Sequence, residues 1–337
     1  MTIREIASIA GVSPATISLV LNEKPGVGEQ TRSRIKKMLK EYSYAPRQSQ
    51  AERKSSRRCR IQFIKHRAHG MAVEENQGFV ASIIDQIEAD CRRYAYDLIM
   101  SNCTAETAAE VFASVTENAP DGVILLGTEL DPSNYHLLGL ISVPLVVLDN
   151  SMEYQDIDSV VMANANIAAT AVHYLHRLGH RSIAYLQSNV HLPNLKERYL
   201  GYVETLRTLD IAPLPPVYLT PTLSGAYADM KRALEEGMYT PQGAVFAGND
   251  TIAIGASRAL QEAGFAIPGD ISIIGVDDIP FSSVTMPALT TMRISRAVLG
   301  HLAVDVVRKR MRHPDWPAMH LQITGQLIER GSVADRR

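Results

Sequence analysis

From residue 60 onward, short apolar runs alternate with amphipathic stretches, and that alternation leaves few folds open. The runs read "IQFIKH" at 61–66, "YDLIM" at 96–100, "GVILLG" at 122–127 and "PLVVLD" at 144–149. They continue with "SIAYL" at 182–186, "VYLT" at 217–220, "GAVFAG" at 243–248 and "ISIIGV" at 271–276. Between them lie helical patterns such as Phe79 to Tyr94, Asn164 to Leu178 and Asp250 to Ala263. Gly179 and Gly264 stand just past the last two, where a helix ends on a left-handed glycine. Strand–helix alternation implies α/β architecture, a parallel sheet with helices on both faces. About ten such strands exceed what one doubly wound sheet usually holds, so two similar subdomains are expected.

In such sheets ligands bind beyond the carboxyl ends of the strands. Here those ends read Asp149-Asn150, Asn249-Asp250 and Asp277-Asp278. Carboxylates accept from hydroxyls while amides donate and accept, which suits a neutral, hydroxyl-rich ligand. An aspartate at such a place also caps helices. For Asp250 the capping role is the expectation, and for Asp277 the ligand role, because another acid follows it and no helix start is evident.

The first 46 residues follow different rules. "TIRE" places Thr2 and Glu5 as a capping box, followed by Ile6, Ile9 and Ala10 at helical spacing and by Gly11 at a tight turn. Ser13 caps a second helix with Pro14 at its first position. Ile17, Val20 and Leu21 then face the first helix, while Pro14, Ala15, Ser18 and Leu19 face away. A third helix is expected from about Glu29 to Tyr42, with Ile35, Met38, Leu39 and Tyr42 inward. Three short helices with a glycine-bearing turn between the first two form a helix-turn-helix. The outward face of the second helix carries small residues, as close approach to base edges in a major groove requires. A helical subdomain that merely packs is the alternative.

Charge separates the two regions. Residues 1–60 carry 13 Lys and Arg against 5 Glu, and the remainder carries 21 against 31 acids, within a net charge of −2. A basic head on an acidic body is the arrangement of a nucleic-acid-binding arm on an effector domain. Residues 47–59, "RQSQAERKSSRRC", read as a basic linker without apolar periodicity. The longest apolar runs are too short to cross a bilayer, and "MTIREIASIA" lacks a signal peptide's apolar stretch. Cys59, Cys91 and Cys103 lack metal-ligand or CxxC spacing and read as reduced thiols, so a cytoplasmic location without membrane association is expected. No GxSxG, GxxxxGK or strand-following GxGxxG is present, and His176 and His180 in "HRLGH" lack a metalloprotease glutamate. No enzyme activity, cofactor or metal is expected.

Over essentially its full length the chain resembles the lactose/galactose-repressor family of bacterial transcription regulators. The motifs that carry this are "IREIASIAGVSPATISLVLN", "VGEQTRSRIKKMLKEYSYAP", "HYLHRLGHRSIAYL" and "ERYLGYVETL". Two more are "AVFAGNDTIAIGASRALQEAGFAIPGDISIIGVDD" and "PALTTMRISRAVLG". The resemblance implies a homodimer that reads double-stranded operator DNA and a core like periplasmic binding proteins that senses a small-molecule effector, often a sugar or nucleobase. It implies a DNA-binding domain at 1–46, a hinge at 47–59 and an effector-binding core at 60–337. The core would divide into about 60–160 with 291–320, and about 161–290 with 321–337. DNA contacts would be Thr2, Ser13, Pro14, Ala15, Thr16, Ser18, Leu19, Asn22 and Arg53; effector contacts would be Phe79, Asp149, Arg198, Asn249 and Asp277. Leu19 stands where family members carry arginine, Arg53 where the hinge carries a leucine wedge, and Ala163-Asn164 where Asp-Asn is common. The end "GSVADRR" carries no heptads, so a tetramer built on them is not expected. A solute-binding protein with the same core, and a sugar-modifying enzyme using Asp277 or Asp278, are the competing readings. The first would need a signal peptide and the second a general acid, nucleophile or metal set.

Overall fold

A computed structural model describes residues 3–21, 26–41, 58–73 and 77–337. The chain divides into two compact units, a head, Met1–Arg58, and a core, Cys59–Arg337.

The head contains α1 (Ile3–Ala10), α2 (Pro14–Leu21) and α3 (Glu29–Glu41). Gly11 turns the chain at φ +64°, a conformation that costs glycine nothing. The Ser13 hydroxyl accepts from the Thr16 amide at 3.1 Å, capping α2. Arg34 on α3 donates to the Ala10 carbonyl at 3.1 Å, satisfying the C-terminus of α1. Ile6, Ala7, Ala10, Ile17, Val20, Ile35 and Leu39 form the small core. Of the residues set at helical spacing, Ile6 and Ala10 are buried while Ile9 is 52% exposed, and Ala7 completes the inward stripe of α1. Thr2, Asn22, Tyr42, Arg53 and linker residues 47–57 lie outside the described residues, as do the side chains of Glu5 and Leu21.

The core holds two six-stranded sheets. The first contains β1 (Arg60–Arg67), β2 (Asp97–Thr104), β3 (Gly122–Leu126), β4 (Leu145–Leu148), β5 (Asp158–Met162) and β11 (His320–Ile323), in the order β11-β5-β4-β3-β1-β2. The second contains β6 (Ile183–Ser188), β7 (Val217–Leu219), β8 (Ala244–Ala247), β9 (Ser272–Asp277), β10 (Thr290–Arg293) and β12 (Gln326–Ile328), in the order β12-β10-β9-β8-β6-β7. All neighbours pair parallel except β10 and β12. Both sheets share one wiring, so each is the doubly wound unit that strand–helix alternation demands.

Helices α4 (Gln77–Arg93) and α10 (Arg296–Arg312) pack together on one face of the first sheet, with α5 (Ala108–Asn118) contributing to the core on the other. The second sheet has α6 (Asn164–Arg177) and α7 (Pro193–Thr208) on one face, and α8 (Leu223–Glu235) and α9 (Asp250–Glu262) on the other. The chain passes between sheets after β5, β10 and β11. Strand 290–293 therefore belongs to the second sheet and 320–323 to the first, so the last two crossings fall a few residues later than the sequence suggested. The strands at 158–162, 290–293, 320–323 and 326–328 were not anticipated. The last two are short and partly exposed, without a continuous apolar run.

Candidate functional site

On the head, the outward face of α2 presents Pro14, Ala15 and Ser18 to solvent beside the capping Ser13, with Thr16 and Leu19 half-buried. Leu19 leans toward the turn after α2: a methyl added at Gly26 would lie 3.8 Å from its Cδ1. Ala15 and Ser18 carry so little side chain that the helix backbone can come close to a flat or grooved partner. The face therefore suits insertion into a groove.

In the core, the cleft beyond the strand ends brings together Phe79, Asp149, Arg198, Asn249 and Asp277. Arg198 is the largest fully buried side chain, 2% exposed. Its placement begins with Gly201, one turn further along α7, where a methyl group would sit 2.6 Å from the Ala165 Cα of α6. Only glycine permits that approach, which sets the two helices close enough for Arg198 Nε to donate to Asn164 Oδ1 at 3.0 Å. One Nη donates to the Gly248 carbonyl. The other lies 3.2 Å from Met162 Sδ and 3.9 Å from Asp277 Oδ1. A buried guanidinium survives only where its donors are occupied, and here they are spread over four segments. Ala163, at the N-cap of α6, makes no side-chain cap. Asn164 meanwhile donates to Glu197 at 2.8 Å.

Asp149 and Asp277 share an unusual backbone. Asp149 has φ +63° and Asp277 φ +111°, with Asp278 at +51° behind it. Left-handed geometry at non-glycine residues is costly and persists where the surroundings enforce it. Asp149 is held by the Thr128 hydroxyl at 2.7 Å and by Asn194 Nδ2 at 2.8 Å. Asn194 stands on α7, over the second sheet, so its bond to Asp149 at the end of β4 joins the two halves across the cleft. Burial raises the Asp149 carboxyl to about 7, against the opposing pull of the Thr128 bond and of Arg198. Burial also raises Asp277, with Arg198 and Arg296 acting the other way. Asp278 turns out of the cleft to Arg293 and Arg330, each at 2.6 Å.

Asp250 does not cap α9. Asn249 does, accepting from the Ile252 amide at 2.9 Å, while the same side chain lines the cleft. Asp250, the first residue inside the helix, is fully buried and accepts from the Ile279 amide and the Ser282 and Thr291 hydroxyls. It ties three segments of the second half together. Thr128 and Asn194 complete the polar lining and were missed as contacts. Their roles depend on which residues face them across the cleft, and no local spacing carries that. Among the described residues, no group of three His, Cys, Asp or Glu could hold a metal, and no helix is long and apolar enough to cross a membrane.

Comparison with known proteins follows this division. Residues 2–47 match the model of bacterial regulatory proteins, lacI family, and residues 172–333 match that of the periplasmic binding protein-like domain. The chain is 29% identical over 339 residues to the ribose operon repressor of Escherichia coli (strain K12), covering 98% of this chain and 99% of that protein. It is likewise 29% identical to the HTH-type transcriptional repressor PurR of Vibrio atlanticus (strain LGP32), covering 98% of each. Among solved structures, a Lac repressor dimer bound to operator and the anti-inducer ONPF superposes with a TM-score of 0.73 at 23% identity, over 99% of both chains. A head that matches the model of bacterial regulatory proteins, lacI family, thus stands in one chain with a core that matches the periplasmic binding protein-like domain.

Proposed function

We propose that this protein is a transcriptional repressor that binds operator DNA sequence-specifically and whose grip on DNA is set by a small molecule held in the core cleft. The observation that carries this reading is the convergence, in one cleft, of a fully buried arginine and two left-handed aspartates from different halves of the core. Such polar burial is expensive without a ligand to use it. The relatives named as ribose operon repressor and repressor PurR, matched along almost their whole length, support the same reading. Two carboxylates and one arginine suit a neutral molecule with hydroxyl donors and ring acceptors, that is, a sugar or nucleobase.

In this reading Arg198, Asn249, Asp277, Asp149 and Phe79 touch the effector. Ser13, Pro14, Ala15, Thr16, Ser18 and Leu19 lie against the operator, with Thr2, Asn22 and Arg53 as further contacts. The domains are 1–46 for DNA, 47–59 as hinge and 60–337 for effector. The protein works as a homodimer, because a two-fold repressor matches a palindromic operator, and acts in the cytoplasm at the nucleoid.

The test is a thermal-shift panel of neutral sugars and nucleobases, followed by DNA binding with and without each hit. A ligand at a hundred times its Kd adds about 2.7 kcal/mol of stability. A hit that shifts melting and also changes DNA affinity supports the reading. Turnover of the hit, or DNA binding indifferent to every compound that shifts melting, overturns it.

A further inference from the structure

The Asp277–Asp278 turn raises a question that the effector contacts leave open: what keeps two consecutive non-glycine residues left-handed at the lip of the cleft? Asp278 is fixed through its carboxylate by Arg293 and Arg330. Asp277 needs its own carboxylate for the cleft, so its backbone must be held another way. Arg296 does this. One Nη of its guanidinium donates to the Asp277 carbonyl at 2.8 Å and to the Asp278 carbonyl at 2.7 Å. The same guanidinium carbon lies 5.2 Å from the centre of the Phe79 ring, within the range of a cation–π contact.

The position of Arg296 in the chain gives this arrangement its meaning. It is the first residue of α10, immediately after the passage from β10 of the second sheet to the helix that packs on the first. Asp277 ends β9 of the second sheet, and Phe79 stands in the first turns of α4 over the first. One side chain at a crossing between the halves thus touches a cleft residue of each.

We propose that Arg296 is a positioning residue of the cleft, holding the left-handed turn that aims Asp277 inward while bracing Phe79 from the other half. This rests on the cleft being the effector site, but the contacts of Arg296 can be tested without an effector. Two functions are separable by substitution. Methionine keeps an apolar stem against Phe79 and deletes both carbonyl bonds, whereas alanine deletes both functions.

The experiment is hydrogen exchange by mass spectrometry on the full-length protein without effector, comparing the parent, Arg296→Met and Arg296→Ala. Loss of the carbonyl bonds in Arg296→Met should raise exchange around 277–281 by about ten-fold or more and leave 79–84 unchanged. Arg296→Ala should raise exchange in both segments. Unchanged exchange at 277–281 in Arg296→Met overturns the proposal, as does a uniform rise over the whole core. If alanine prevents folding, the methionine variant still decides. A second arm titrates D-ribose by calorimetry. If the parent binds it, Arg296→Met should weaken it about ten-fold or more, and equal affinity overturns the positioning role. If the parent binds neither ribose nor any other compound of the panel, the effector reading fails, while the exchange result still judges the contacts of Arg296.

Discussion

The head and the core cleft place their working residues on opposite sides of a surface. In the head, seven apolar side chains are buried among the described residues, and the candidate contacts sit outside on a helix face of alanine, serine and proline. In the core, the charged candidate contacts are buried, and Arg198, Asp149 and Asp277 are each at most 5% exposed. A head that reads a long polyanion needs only shape and positive charge at its surface. A cleft that encloses a small neutral molecule must desolvate its polar groups beforehand, so those groups are tied into the fold. Mutations should therefore separate function from stability in the head and fail to separate them in the core.

The largest effect expected from this contrast is at Arg198. Replacing it by methionine removes the cation beside Asp277 and the donors to Asn164 and Gly248, and should destabilise the core by about 3–5 kcal/mol in urea unfolding. A loss below about 1 kcal/mol would mean that the buried polar groups are independent of one another.

The head should respond to salt where the core does not. Its 12 basic residues against 5 acidic predict a log–log salt slope of several units for DNA binding, at about −0.9 per phosphate neutralised. Effector binding should be nearly flat over the same range, and a flat DNA curve would break the comparison.

Leu19 tests how far the surface reading extends. An apolar side chain there can meet a thymine methyl but cannot donate to guanine, so Leu19→Arg should shift site preference toward guanine by about 1–3 kcal/mol. Identical sites selected from random DNA by both proteins would remove residue 19 from sequence reading.

Acidity probes the buried side. Asp149 and Asp250 are raised by burial to about 7, so each binds its proton more tightly folded than unfolded. Folded protein then holds the extra protons between the ordinary aspartate range and about pH 7, and stability falls as pH rises through that window. Each group contributes at most about 1.4 kcal/mol per pH unit. Asp149→Asn should flatten this decline in urea unfolding between about pH 5 and 7, by about 1 kcal/mol per pH unit. An unchanged slope would show that Asp149 is ionised throughout. His66 acts in the opposite sense: burial lowers its pKa, so its contribution is lost as pH falls below the ordinary histidine range.

The smallest effect is expected at the ion pair of His191 with Asp131, 2.8 Å apart and half exposed, which joins loops of the two halves. Asp131→Asn should change core stability by no more than about 1 kcal/mol, because solvent screens the pair. A larger loss would make this surface contact a structural tie between the halves.

The sequence was legible where one residue's role follows from its own segment. Parallel strands force their carboxyl ends toward a cleft, which placed Asp149, Asn249 and Asp277. A serine-proline step and a glycine turn were enough to place α2. Legibility failed where a role is set by distant neighbours. Asn194 matters because β4 delivers Asp149 opposite it, and Arg296 because a crossing carries it to a turn 18 or 19 residues earlier. "GND" offers two capping residues side by side, and only the packing of Ser282 and Thr291 decides that Asp250 faces inward while Asn249 caps. Ile9 turns outward because Ile6, Ala7 and Ala10 already fill the inward face of this two-turn helix.

The central claim is that a molecule in the buried cleft controls what the exposed face of the head does. The direct measurement is fluorescence anisotropy of the full-length protein on DNA selected from a random pool, with and without the strongest hit of the thermal-shift panel, for the parent and Asp277→Asn. The hit should change DNA affinity of the parent by about 5-fold or more, a coupling of about 1 kcal/mol. Asp277→Asn should bind the same DNA without effector and lose most of that response. Equal responses in the two proteins, or no response in the parent, would contradict it.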